Sequence, residues 1–229
     1  MTYAARILAD SISPAGHRLT SIEWTFPRFI LAEVNTHRQL TKSSASSRAV
    51  PVLQRIEMIL GEPFIPDVFS KNKAGMQATE VLADTENSQA RELWLEAMHD
   101  MIGYAKKCAE LGVHKQYANR FTELFSWHTA IITATEWQNF EALRISTDAQ
   151  PEFTEAARVL QKAKAESIPA PVREGEWHLP YILPDERLGN HYEPWPHLVK
   201  LSAGRCARVS YLTQDGIRDQ SKDIGLYER

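Results

Sequence analysis

The run "WHTAIITAT" at residues 127–135 is β-branched and alternating, and helix-start chemistry follows it at once. A strand that hands over directly to a helix restricts the chain to folds in which helices lie against a sheet. Thr135, Glu136, Trp137 and Gln138 fit a capping box, with Thr135 capping and Gln138 reaching back. The helix "EWQNFEALRI" then sets Asn139 beside Leu143, and Phe140 beside Arg144, on adjacent stripes.

A second strand is expected up to Phe26, in "LTSIEWTF", with Pro27 opening a helix from Phe29 to about Arg38. The serine-rich stretch after it reads as a loop. "PVLQRIEMILG" reads as a short amphipathic helix stopped at Gly61, and residues 61–69 as extended or irregular. Leu93, Ala97, Met101, Tyr104, Cys108 and Leu111 recur at helical spacing and are closed by Gly112. "HKQYANRFTEL" continues helically, and another helix spans Pro151 to Ala165. Six prolines between Ile168 and His197 mark a long irregular connection, residues 168–197. "VKLSAGRCARVSYLT" reads as one more strand, and "DIGLYER" as a helix cut short. The fold class is α/β (α+β), a central mixed or antiparallel sheet flanked by helices, in one domain over residues 1–229.

With 43% hydrophobic and 24% charged residues, the chain can bury a sizeable core. A net charge of −3 excludes the global basic field of a non-specific nucleic-acid binder. Cys108 and Cys206 lie far apart on apolar segments, which suits buried reduced thiols and a cytoplasmic protein. The N-terminus carries no apolar signal-peptide core, and no run of about 18 uncharged apolar residues points to a membrane span. The histidines, among them His114, His128 and His178, show no paired metal spacing, so no metal is expected.

The chemistry concentrates in "NTHRQLTKSSASSR", residues 35–48. Between Val34 and Ile56 there is no acidic residue, whereas His37, Arg38, Lys42, Arg48 and Arg55 are all present. Guanidinium forks, serine hydroxyls and loop N–H groups are the donors that a phosphate dianion needs. A solvated basic loop has the same composition, and composition alone leaves both readings open.

His37-Arg38, seven residues, then Ser46-x-Arg48 resembles the signature of the flavin-dependent thymidylate synthases, an Arg-His-Arg followed by Ser-x-Asn-Glu-x-Ser-x-Arg. Thr36 stands for the first arginine, Thr41 for the first serine, and Ser43-Ser44 for the Asn-Glu pair. Asn139, Phe140, Leu143, Arg144, Ala149, Gln150 and Glu152 are similar in spacing to the family's second stretch, and Ala118-Asn119-Arg120 stands where it carries another arginine. The match covers residues 13 to 160. Cys206-Ala207-Arg208-Val209-Ser210-Tyr211 resembles a strand that the family carries near its N-terminus, as in a circularly permuted, phage-type relative. Ser13-Pro14-Ala15-Gly16-His17 stands in for the family's flavin-holding turn.

The resemblance implies a transferase that methylates dUMP to dTMP, with methylenetetrahydrofolate as carbon donor, NADPH as reductant and FAD as redox carrier. It implies a catalytic role for Arg144 and Ser46 and dUMP contacts from Ser44, Ser46, Ser47, Arg48, Arg120 and Arg144. Arg144 would favour the ionised pyrimidine. Thr36, His37, Arg38 and Ser13 would hold FAD, with Thr133, Thr135 and Asn139 against it from another subunit. A homotetramer with shared active sites is implied, in the host cytoplasm if the chain is phage-encoded. Taken singly, Arg144 also suits a helix-surface arginine, Asn139 an ordinary helix residue and His37 a structural histidine. The departures at Thr36 and Ser43-Ser44 suggest altered substrate choice, such as hydroxymethylation of dUMP or dCMP. Two other readings are a non-catalytic nucleotide- or nucleic-acid-binding relative without flavin, and a subunit completed by a second chain.

Overall fold

The computed structural model describes residues 2–75, 78, 80–188, 195–209 and 219–229. Strands β1 (Ala4–Ile12) and β2 (Arg18–Pro27) form a hairpin, and a 3-10 turn (Arg28–Ile30) leads into helix α1 (Leu31–Thr36). Strand β3 (Thr41–Ser44), a 3-10 turn (Ser47–Ala49), α2 (Val52–Gly61) and α3 (Asp84–Glu110) follow. Next come α4 (Lys115–Ala118), a longer 3-10 segment (Asn119–Phe125), β4 (Trp127–Ala134), α5 (Gln138–Arg144) and α6 (Pro151–Glu166). The chain ends through β5 (Ala170–Pro171), α7 (Pro184–Leu188), α8 (Trp195–Val209) and α9 (Gln220–Tyr227).

The sheet runs β3-β4-β2-β1-β5. Its first four strands are antiparallel neighbours, and β5 joins β1 in parallel, which makes the sheet mixed. Alternation decides the faces. Ile22, Trp24 and Phe26 of β2 lie beside Ala130 and Ile132 of β4 and pack against Phe140 of α5 and Phe153, Ala156, Ala157 and Leu160 of α6. Trp24 Nε1 donates to the Ala156 carbonyl at 2.8 Å, so the indole is buried without an orphan donor. Each of the isoleucine, leucine and phenylalanine side chains contributes about 1.5–3 kcal/mol when removed from water. The opposite face is polar: Ser21 shares a 2.6 Å hydrogen bond with Thr133, and His178 bridges Ser11 and Ser21 at 2.9 Å each.

Several expectations change. The serine-rich stretch is not all loop, because Thr41–Ser44 pair with β4 as an edge strand. Such a strand needs no apolar alternation, so its pattern hides it. Thr135 is exposed and caps nothing; α5 starts at Gln138 with no side-chain cap. The helix after Pro27 splits into the 3-10 turn and α1, and ends before His37. β1 carries no expectation from sequence, although Ala5 and Ile7 point inward on either side of Arg6.

The expected C-terminal strand is a helix over its described part. Leu198, Leu201, Ser202, Arg205 and Arg208 are buried at helical spacing along α8, while Ser210 and Tyr211 lie outside the described residues. Arg205 pairs with Glu186 and Asp223, and Arg208 with Asp223. A Cβ on Gly204 would meet the Asp223 carbonyl oxygen at 2.0 Å, so glycine is what lets α9 lie this close to α8. The Pro-rich connection holds β5 and α7, and α8 starts within it. Gly112 does end α3, at φ +76°.

Candidate functional site

Two arginine centres sit beside the serine-rich segment. In the first, Arg144 at the end of α5 donates through Nε to His37 Nε2 at 2.7 Å, and its guanidinium lies 4.4 Å from the centre of the Phe153 ring. His37, edge-on to Phe140 and Phe153, is buried. Burial, Arg144 and Lys42 together press its pKa from 6.5 to about 4, so the ring is neutral and accepts. Lys42 is tied to the backbone carbonyls of His37 and Leu40, which fixes the turn that presents the imidazole. Burial lowers the Arg144 pKa and Glu33 partly offsets this, yet a guanidinium keeps its charge. Arg144 is therefore a cation whose hydrogen-bonded partner is neutral.

The second centre is built on Arg28, directly after β2. Its guanidinium donates to His128 Nδ1 at 2.8 Å and to Ser47 Oγ at 2.9 Å, and it pairs with Glu123 at 3.0 Å. The Glu123 carboxylate also accepts from Ser47 Oγ and from Arg120 at 3.0 and 3.2 Å. Burial opposes ionisation of Glu123, but the Ser47 hydroxyl, Arg28 and Arg120 outweigh it and hold the carboxyl below its usual range. Burial, with Arg28 and Arg55 nearby, pushes His128 down to about 3, so it too is a neutral acceptor. Asn119 Nδ2 holds the loop from below, donating to the Ser47 and Val50 carbonyls at 2.6 and 2.9 Å. Arg55, lowered to about 10 mainly by burial, reaches Thr122 and Ser126.

Several residues expected in the site come together here. Ser47 is buried in the second centre, with Ser46 and Arg48 exposed on either side and Ser44 half-buried at the end of β3. Arg120 reaches the same place through Glu123. Those expected around a flavin do not converge in one copy of the chain. Thr133 faces Ser21 on the side of the sheet opposite His37, and Ser13 closes the β1–β2 turn, accepting from the His17 N–H. Thr36 bonds the Glu33 carbonyl, and Arg38, Thr135 and Asn139 are exposed. The resemblance has Thr133, Thr135 and Asn139 reach the cofactor from another subunit, and within one chain these residues lie apart. Sequence reading missed Arg28, Asn119 and Glu123 as site residues. Asn119 stood in the quoted motif only as the neighbour of Arg120, and Glu123 was signalled by its i, i+3 spacing from Arg120.

Both cysteines are free thiols, and burial raises Cys206 to about 11. Among the described residues no helix is long and apolar enough to cross a membrane.

No family model and no curated protein sequence matches the chain. Solved structures do. A UMP/dUMP methylase, PolB from Streptomyces cacaoi, bound with 5-bromo-dUMP, aligns with TM-score 0.59 at 13% identity, over 72% of this chain and 91% of that one. The same enzyme bound with 5-bromo-UMP gives TM-score 0.58 at 12% identity, over 72% and 89%. The chain shares PolB's fold. These comparisons overturn the expected membership in the flavin-dependent thymidylate synthase family, for which nothing matches in sequence, and point instead to the PolB-like fold. The expected circular permutation falls with it: Cys206–Val209 are helical, and the N-terminal strand position is held by β1.

Proposed function

We propose that this chain is an enzyme that binds a pyrimidine nucleoside monophosphate and adds a one-carbon group to its base. The observation that carries the reading is Arg144: a half-buried guanidinium held by a neutral imidazole, on a fold shared with a UMP/dUMP methylase. A ring carbon attacks a one-carbon electrophile only when the base is electron-rich, as it is when negative charge resides on the ring before the bond forms. A fixed cation with no carboxylate in its first contacts among the described residues is suited to stabilise that charge. Ser46, Ser47, Arg48 and Arg120, in a segment whose residues 34–56 carry no acid of their own, would take the phosphate and ribose.

Methylenetetrahydrofolate is the proposed carbon donor, and its methylene carbon has the oxidation level of formaldehyde. Transfer followed by addition of water gives a hydroxymethyl group with no net reductant. Transfer to a methyl group needs two more electrons from a reductant such as NADPH. Hydroxymethylation of dUMP or dCMP is the form of the proposal whose chemistry calls for no redox cofactor. The test is to incubate the protein with dUMP or dCMP and methylenetetrahydrofolate, with and without NADPH and FAD, and weigh the products. A hydroxymethyl nucleotide formed without reductant supports this form, and a methyl product only with NADPH and FAD supports methylation. Unchanged nucleotide in every tube removes the enzymatic reading.

A further inference from the structure

We propose that Glu123 is a resident anion: its carboxylate fills an oxyanion site formed by Ser47 Oγ, Arg28 and Arg120, and a phosphate monoester displaces it. This rests on the nucleotide reading above, and it adds Arg28 and Glu123 to the phosphate site. Three donors from three separate elements meet at one oxygen. Ser47 Oγ, Arg28 at 3.0 Å and Arg120 at 3.0 Å all contact Glu123 Oε1. That convergence on a single oxygen is how proteins hold the oxygens of a phosphate.

The parts differ in freedom to move. Arg28 is 7% exposed, tied behind to His128 Nδ1, and its Nε has no hydrogen-bond partner among the described residues. It stays where it is when the carboxylate leaves. Arg120 is 60% exposed and can follow a ligand. Glu123 has its backbone carbonyl pinned by Ser126 Oγ at 2.9 Å, whereas its side chain is 23% exposed and can swing outward. Two guanidinium groups facing one carboxylate leave a net positive charge, which a phosphate dianion balances better than Glu123 does. The sign of the expected effect separates this role from a simple structural ion pair. Removing the charge of a structural carboxylate weakens the site, and removing a competing anion strengthens it for phosphate.

Phosphate affinity is measured by calorimetry, and melting temperature in phosphate-free buffer, for the wild type, Glu123→Gln, Glu123→Asp and Arg120→Ala. Inorganic phosphate, ribose 5-phosphate and dUMP are the probes, with deoxyuridine as the uncharged control. Glu123→Gln binds phosphate about tenfold more tightly than the wild type, a difference of about 1.4 kcal/mol. It also melts lower without phosphate and recovers with it, because Arg28 is otherwise left buried and unpaired. Glu123→Asp, with the carboxylate drawn back by one methylene, shifts affinity in the same direction and covers the case in which Glu123→Gln folds only in phosphate. Arg120→Ala loses phosphate affinity about tenfold. Phosphate binding at or below wild-type strength in both Glu123 variants overturns the proposal. If the wild type binds dUMP normally in that case, the nucleotide reading stands alone; if the Glu123 variants instead gain phosphate affinity and no variant takes nucleotide, the anion site stands and the nucleotide reading falls.

Discussion

Arg144 and Arg28 are both withdrawn from solvent, and each leans on a histidine, but their charges are met differently. Arg144 donates to His37, a neutral ring, and its nearest counter-charge acts through space from Glu33. Arg28 donates to His128, also neutral, and in addition carries a direct ion pair with Glu123. The first arrangement leaves a positive charge for something outside the protein. The second is already neutralised and has to exchange its partner before it can serve a ligand. Both rings are kept unprotonated by burial beside arginine, so in each centre the histidine acts as an acceptor that orients a cation.

The widest test of that contrast is Arg28→Ala. It strands Glu123 and His128 in a buried pocket, and the expected cost is about 3–5 kcal/mol of stability, read as a lowered urea midpoint. A midpoint within error of the wild type would remove the distinction between the two centres. Arg144→Ala is expected to lower turnover of the nucleotide by about 10²–10³-fold while the protein stays folded. Arg144→Lys should not restore it, since a point charge cannot replace the planar fork. Loss of folding in Arg144→Ala, with no specific loss of turnover, would place Arg144 with Arg28 as a structural residue.

Arg48→Ala is expected to raise KM for the nucleotide about tenfold and leave kcat nearly unchanged, as loss of a phosphate contact does. An unchanged KM would leave the exposed arginine of the loop without a role in binding. The smallest effect is on pH dependence. Unfolded histidine takes up a proton near 6.5, whereas folded His37 does so only near 4. The stability gained from its neutral form is thus whole above about pH 6.5 and is lost as the pH falls towards 4. Melting temperature followed across that range should fall less steeply in His37→Asn than in the wild type. Equal slopes would show that His37 does not titrate as its surroundings require.

Where the sequence could be read, the signal was local. β4 and the end of β2 follow from β-branched and aromatic runs, and α3 from its apolar stripe and the glycine that ends it. α8 was misread because "CARVSY" looks like a strand, while the period that buries Leu198, Leu201 and Arg205 emerges only when its partners Glu186 and Asp223 are in place. β3 escaped because an edge strand of serine and threonine shows no apolar alternation. The site divides the same way. His37 and Arg144 were both named from motifs, and the fold joins them across 107 positions. The missing acid of residues 34–56 was visible as an absence, but its supply from Glu123, 76 positions from Ser47, is a property of the packed chain.

The most direct test of the central claim is a calorimetric titration of dUMP and dCMP into the wild type and into Arg144→Ala, with ribose 5-phosphate as the base-free control. The account predicts that the wild type binds a pyrimidine nucleotide more tightly than ribose 5-phosphate, and that Arg144→Ala loses this difference while keeping its affinity for ribose 5-phosphate. Nucleotide and ribose 5-phosphate bound equally well by the wild type would contradict it, because Arg144 would then have no base to act on.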